Sequence, residues 1–357
     1  MKLLNDNYYL GSGALKNLGA YLIDLNERCV LVIDENVSKY WNDYLLECVE
    51  PCQCASIILP SGEGNKNFTT LNKLYDFFVT SEIDRSVPVV ICGGGVLGVV
   101  GGLAAATFLR GVPLVNVPTT LLAMVDSSVG GKNGIDLAAG KNLVGSFYEP
   151  KSIWADSLFL NTLPTIEISN GMAEVVKCMF LDAQSLTLEK EASSRIWVTE
   201  SHKPLWDEDF YLRLIEFAVR VKFAIVRLDP FDRSDRYKLN LGHTFAHSLE
   251  VCTNYHLTHG QAVSIGLICA LNLARRLKIL KEEQLIRMKT LLELWGLPTC
   301  IPECVSWEDF FHNFKYDKKR EFSKNIFILP VERGKLVRVD FVSAEDLHWV
   351  FEVTKAK

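Results

Sequence analysis

Short β-branched runs, each breaking into a glycine-rich or polar turn before a helical stretch, fill the first half of this chain: CVLVID at 29–34, ASIILP at 55–60, VPVVICGGG at 87–95 and VPLVNVPTT at 112–120. That alternation is the pattern of parallel βαβ units, so the spacing predicts an α/β domain with a parallel sheet over about the first 160 residues. From Asn161 onward the segments lengthen and take a helical period, as in ISNGMAEVVKCMFL, DFYLRLIEFAVRVKFAIVRL and GQAVSIGLICALNLARRLKIL. A mostly α-helical C-terminal domain over 161–357 is expected. Leu163-Pro164 makes a plausible hinge, and NIFILPVERGKLVRV reads as a hairpin turning at Arg333-Gly334.

The composition excludes several classes. At 48% hydrophobic and 23% charged residues with a net charge of −5, the chain has no electrostatic footprint for nucleic acid or an anionic membrane. Its start, MKLLNDNYYLGSG, lacks a basic-then-apolar leader, and its apolar stretches are broken before they could span a bilayer. The ten cysteines are scattered and many sit in apolar runs (Cys92, Cys178, Cys269), as reduced thiols do; the Cys52-x-Cys54 pair reads as a strand or surface feature. A cytoplasmic protein with neither a nucleic-acid nor a membrane partner is expected.

The segment RYKLNLGHTFAHSLEVCTNYHLTHG carries four of the seven histidines between His243 and His259. On a helix Asn240, His243, His247 and Glu250 share one stripe, which is polar where a helix normally buries apolar side chains. A His-x-x-x-His pair can hold a divalent metal, with His259 as a third donor; a hydrogen-bonded histidine cluster would give the same pattern. In GMAEVVK, Glu174 and Lys177 fall on one face of an apolar helix. A carboxylate there invites a cation, and a surface ion pair explains little if that helix is buried. We pair Glu174 with His243 and His259 as metal ligands.

A second cluster lies in the first half. The run Gly93-Gly94-Gly95, with Gly98, Gly101 and Gly102, follows a strand into a helix and satisfies G-x-G-x-x-G. Glycines there let backbone N–H groups approach a diphosphate, or merely allow close helix-to-strand packing. Asp34, ending its strand, suits a ribose, and Glu63 and Lys66 in PSGEGNK could serve the same nucleotide. Thr119, Thr120, Asp126, Lys132, Asp136, Lys141 and Asn142 are interleaved with glycines in VPTTLLAMVDSSVGGKNGIDLAAGKNLVGSF, a setting suited to anionic ligands.

Together these motifs resemble the 3-dehydroquinate synthase family of sugar-phosphate cyclases. SGEGNK, GGGVLG, ATFLRG, VPTTLLAMVDSSVGGKNGID, GKNLVGSF, LNTLP, GMAEVVK, RYKLNLGHTFAHSLE, HG and DKK occur in order from Asp34 to Lys319. The resemblance implies a homodimeric lyase of the shikimate pathway that depends on NAD and a divalent metal, zinc or cobalt, and acts on a small sugar-acid phosphate. It implies Glu174, His243 and His259 as metal ligands and His247 as a proton-transfer residue rather than a ligand. Lys132, Lys177, Lys222, Arg236, Asn240 and Lys318 or Lys319 match the substrate-binding set, Arg110 a phosphate site of the neighbouring subunit, and Asp126, Asn142 and Asp232 the same pocket. Asp34, Glu63, Lys66, Gly94, Gly95, Thr119, Thr120, Lys132, Lys141, Asn142, Phe159 and Thr162 match the cofactor site.

The chain departs from the family pattern at Val99, where an aspartate is usual, at Gln261, where HGE is usual, and at Asp232, where a glutamate is usual. Gln261 is expected to lose a charge that tunes the adjacent His259. A related cyclase with another sugar phosphate, and a polyol dehydrogenase that releases NADH, compete with the synthase reading. The Arg236 and Asn240 pair favours an acid substrate.

Overall fold

The computed structural model describes residues 1–194, 207–314 and 326–356. It divides into two units, one of residues 1–164 with 206–223 and one of residues 165–205 with 224–357.

In the first unit, strands β1 (Lys2–Leu4), β2 (Tyr8–Gly11), β3 (Arg28–Asp34), β4 (Gln53–Leu59), β5 (Val89–Gly93), β6 (Leu114–Pro118) and β9 (Ser152–Asp156) form a seven-stranded sheet in the order β1-β2-β9-β6-β5-β3-β4. Only β1 runs antiparallel to its neighbour. The central strands β5 and β6 are buried throughout, which is why they read as unbroken apolar runs, whereas the edge strand β4 is largely exposed. Helices α1 (Leu18–Leu25), α2 (Glu35–Val49), α3 (Phe68–Thr80) and α4 (Gly95–Thr107) lie between strands in sequence. An antiparallel hairpin of β7 (Lys132–Leu137) and β8 (Gly140–Phe147) packs on α4.

Strand order reverses between β3 and β5: β4 follows β3 to one side, while β6 and β9 follow β5 to the other. Such a switch point opens a crevice at the carboxyl ends of the strands. The ends that border it are Asp34 and Gly93, and a Cβ on Gly93 would lie 3.3 Å from that of Asp34.

The second unit is built from α5 (Thr165–Leu181), α6 (Leu186–Ser194), the end of α7 (Glu208–Leu228), α8 (His243–Cys252), α9 (His259–Arg276), α10 (Glu282–Leu294), α11 (Trp307–Phe314) and α12 (Ala344–Thr354). The hairpin β10 (Phe327–Glu332) and β11 (Lys335–Val339) turns at Arg333-Gly334 as expected, with Gly334 at φ 76°. α9 is central, contacting α5, α8, α10, α12 and β10, and residues 262–274 along it are buried on every side. α8 buries Phe245 against Phe310, Phe314 and Phe327 on its apolar face.

Glycines set the spacing of these helices. A Cβ on Gly260 would overlap the backbone of Asn170 in α5, and one on Gly266 would overlap the carbonyl of Gly242 just before α8. Gly242 itself sits at φ 80°, where a side chain is strained and would also meet the Leu267 amide at 2.8 Å. Backbones can therefore approach where α5, α8 and α9 must bring polar side chains to one point.

Candidate functional site

In the first unit the glycine turn after β5 leads into α4, with Gly94 as its N-cap residue. Gly101 and Gly102 serve packing: a Cβ on Gly101 would stand 2.6 Å from Ile91, and one on Gly102 would overlap Asn133. A cleft lined by Gly93, Gly94, Asn116, Ser127, Ser128 and Lys132 lies beside the turn. Asn116 Oδ1, Thr119 Oγ1 and Ser128 Oγ are buried with no hydrogen-bond partner among the described residues. Buried polar atoms are normally satisfied, and these fit a ligand that both donates and accepts, while the N–H groups of the α4 terminus suit an anion, a combination that a dinucleotide offers.

Asp34 caps α2 by accepting from the Asn36 amide at 2.8 Å and also accepts from the Ser61 hydroxyl. Glu63, Lys66, Asp136 and Lys141 form a chain of charges, with Lys141 3.2 Å and Lys66 3.8 Å from Glu63, and Lys66 3.7 Å from Asp136. Asp136 accepts from the Asn142 amide at 2.6 Å. Thr162 accepts from the Trp41 indole at 2.7 Å, while the Phe159 ring is buried against Trp41 and Tyr44. Lys222, near the end of α7, donates to the Asp126 carboxylate at 2.6 Å. Arg110 is exposed between Leu109 and Gly111, all three in the left-handed region of φ.

In the second unit, Glu174 of α5 and the first residues of two helices, His243 of α8 and His259 of α9, converge. One donor atom from each lies within 4.8 Å of the others. Glu174 Oε1 is 3.4 Å from His243 Nε2 and 3.6 Å from His259 Nε2. Each ring's other nitrogen is occupied: His243 Nδ1 lies 3.1 Å from the Leu241 carbonyl and His259 Nδ1 3.2 Å from Glu250 Oε1. Both partners can only accept, so Nδ1 carries a hydrogen in each ring and Nε2, facing Glu174, is the nitrogen that a cation would take. A carboxylate with two such imidazoles, ordered from behind, is the donor set of a divalent metal site.

Glu174 is 1% exposed and ion-paired with the equally buried Lys177. Burial alone would raise the Glu174 carboxyl; Lys177, His243 and His259 outweigh it and hold it well below the usual carboxylate range. Burial would likewise depress the His259 imidazole, but Glu174 and Glu250 push it up to about 10. A buried ion pair stabilises little, so charges this deep point to a ligand rather than to stability.

His247 is one turn along α8, its ring 5.9 Å from that of His243 and outside the three-donor group. Arg236 is buried, donating from Nη1 to the Pro230 carbonyl at 2.8 Å. Its loop is tied by Asp229, which accepts from the amides of Arg233, Ser234 and Arg236. Asp232, at φ 55°, and Asn240 are half-buried. Lys318 and Lys319 lie outside the described residues.

Two residues acquire roles that the sequence does not give them. Glu250 reads only as part of a polar stripe, yet it is the carboxylate on His259. Gln261, expected to act on His259, instead accepts from the Thr258 amide at 3.0 Å and closes a capping box at the start of α9.

Residues 56–170 match the family model described as 3-dehydroquinate synthase N-terminal, and residues 171–320 match the one described as 3-dehydroquinate synthase C-terminal. The chain belongs to the 3-dehydroquinate synthase family. Among curated relatives, a 3-dehydroquinate synthase of Symbiobacterium thermophilum is 36% identical over 99% of this chain and 100% of its own length. One from a Nitratiruptor species is 37% identical over 91% and 90%.

Solved structures share the fold. A 2-epi-5-epi-valiolone synthase from Streptomyces hygroscopicus, with NAD and zinc bound, superposes with a TM-score of 0.88 at 24% identity, covering 99% of this chain and 98% of that one. A 2-deoxy-scyllo-inosose synthase complexed with carbaglucose-6-phosphate, NAD and cobalt gives 0.87 at 25% identity, covering 97% and 96%. A probable glycerol dehydrogenase from Sinorhizobium meliloti gives 0.65 at 15% identity, covering 98% and 96%. No helix among the described residues is long and apolar enough to cross a membrane.

Proposed function

We propose that this chain is a 3-dehydroquinate synthase, an NAD- and metal-dependent lyase that converts 3-deoxy-D-arabino-heptulosonate 7-phosphate to 3-dehydroquinate and phosphate. The observation that carries the reading is the buried convergence of Glu174, His243 and His259 beside Lys177, in a chain that matches the family over both of its halves. A substrate alcohol is oxidised, the acidified neighbouring C–H loses its proton, and phosphate leaves by β-elimination. The ketone is then reduced back, the ring opens, and an intramolecular aldol closes the carbocycle.

When bound, NAD would accept and return the hydride, and zinc or cobalt would polarise the substrate alcohol. Glu174, His243 and His259 would hold the metal. The crevice at the ends of β3 and β5 would hold the nucleotide, with Asp34, Glu63, Lys66, Gly94, Gly95, Thr119, Thr120, Lys132, Lys141, Asn142, Phe159 and Thr162 as its residues. Its place at the topological switch point and the unsatisfied Thr119 hydroxyl support that assignment.

Lys177, Lys222, Lys132, Arg236 and Asn240 would orient the substrate's carboxylate and phosphate, with Arg110, Asp126, Asn142 and one of Lys318 and Lys319. Buried cations held by carboxylates and backbone carbonyls, as at Lys177, Lys222 and Arg236, are pre-oriented for anions. His247 and Asp232 would move protons, an imidazole being able both to take up and to give one.

A boundary between nucleotide and metal domains near residues 160–161 belongs to the same reading. So does a homodimer, for which exposed Leu109, Leu137, Leu143 and Phe147 offer apolar surface. Ten free thiols suit the reducing cytoplasm.

The test is phosphate release from the heptulosonate phosphate by metal-loaded protein with NAD, with NADH absorbance followed in parallel. Phosphate without net NADH is expected. Steady NADH from a simple polyol and no phosphate would replace this reading with a dehydrogenase, and phosphate release only from a non-acid sugar phosphate would replace it with another cyclase.

A further inference from the structure

We infer that Glu250 is a positioning residue for the metal cluster: its carboxylate fixes the His259 ring with Nε2 aimed at Glu174, and thereby sets how tightly a divalent cation is retained. The inference rests on the reading of Glu174, His243 and His259 as metal ligands.

The two imidazoles are held differently. His243 is nearly enclosed, its side chain 11% exposed, and its Nδ1 meets a main-chain carbonyl two residues back. That partner comes with the backbone of the same turn. The His259 side chain is 33% exposed, so packing restrains it less, and its Nδ1 meets the carboxylate of a residue on another helix. Glu250 is itself 4% exposed and comes from the last turns of α8, seven residues after His243. One helix thus supplies a donor at its first residue and, two turns on, the group that orients the donor from α9.

A carboxylate behind an imidazole does more than a carbonyl does. Both select the tautomer with hydrogen on Nδ1 and restrain ring rotation; the charge of the carboxylate also makes Nε2 a stronger donor to a cation. Gln261 does not share this work, since its side-chain carbonyl closes the α9 cap. Glu250, and not Gln261, is therefore the residue that holds His259 from behind.

The experiment compares the parent with Glu250→Ala and with Glu250→Gln, which keeps size and an acceptor oxygen but removes the charge. Zn²⁺ affinity is measured by competition with a chromogenic chelator. In the Co²⁺-loaded protein, the visible absorption and the paramagnetically shifted N–H resonance of the ligand imidazoles are recorded. The expected result is a loss of Zn²⁺ affinity of about 10- to 100-fold in Glu250→Ala and a smaller loss in Glu250→Gln. One shifted N–H signal should vanish through solvent exchange in the alanine variant and persist in the glutamine variant.

Should the alanine variant fail to fold, the glutamine variant decides: parental affinity with a parental Co²⁺ spectrum overturns the proposal. Parental affinity in both variants overturns it equally. Glu174→Ala, run alongside, separates the two readings. If it too binds Zn²⁺ like the parent, the metal cluster itself is misassigned; if it loses the metal while both Glu250 variants keep it, only the role of Glu250 falls.

Discussion

The second unit places its chemistry on helices and the first places it on loops and a hairpin, and the two solutions differ in what each charge costs. Glu174 and Lys177 are buried to 1% in the middle of α5, where an ion is expensive unless something is to be bound. Glu63 and Lys141 pair near the surface, where the Glu63 side chain is 43% exposed, with Lys66 buried behind them. The exposed charges are cheap, and each can be altered without unsettling the fold. The helical site is held to a fixed geometry by close backbone contacts at Gly242, Gly260 and Gly266, whereas the loop site is a set of short local bonds around a turn.

The contrast is broken most directly by Glu174→Ala. It should strip the metal and strand the Lys177 ammonium in the interior, costing about 3–5 kcal/mol in denaturant unfolding. His247→Ala, on the same cluster's edge, should keep the metal and slow turnover by about 10²- to 10⁴-fold, as metal analysis and steady-state kinetics would show. Loss of metal in the His247 variant, with retention in His259→Ala, would reverse the ligand assignment.

Gly260→Ala should cost about 1–3 kcal/mol through overlap with the Asn170 backbone and weaken Zn²⁺ binding by displacing the start of α9. Gly98→Ala in α4 meets no atom within 4 Å, so it should leave the melting temperature unchanged or raise it. Equal destabilisation by both would mean that close approach is not what sets the helical site. Glu63→Gln should shift unfolding by no more than about 0.5 kcal/mol and weaken NAD binding less than about tenfold, readable by calorimetry.

The smallest effect is expected at Asp229. Amide hydrogen bonds from Arg233, Ser234 and Arg236 outweigh its desolvation and hold its carboxyl below the ordinary aspartate range. Its stabilisation is therefore complete above that range and is lost as the pH falls through the depressed value. Asp229→Asn should melt below the parent at neutral pH and converge with it in acid; a gap that widened in acid would contradict the sign.

Legibility in the sequence follows the same divide. The runs at 29–34, 87–95 and 112–120 are legible because parallel strands covered on both faces show as unbroken apolar segments, and that at 55–60, on the exposed edge strand β4, is legible through its β-branched residues. Glu174, Lys177, His243 and His259 are legible because ionisable groups on an apolar helix have few other reasons to be there. The β7–β8 hairpin is not, since its glycines and lysines carry no strand propensity and its pairing depends on packing against α4. β1 and β2 are too short to show a period, although β2, between β1 and β9, is mostly buried. The role of Glu250 is hidden because its partner lies nine residues away across a turn, a distance that no helical spacing predicts.

The closure of the α9 cap by Gln261 bears on how the chain could have diverged. The bond needs a carbonyl oxygen and makes no use of a negative charge, so glutamate and glutamine are interchangeable there as far as the cap is concerned. Their codons differ by one base. With His259 held from α8 instead, that position is free to drift between the two residues under selection for the same enzyme, and a glutamine in the HG turn is no sign that a lineage has abandoned catalysis.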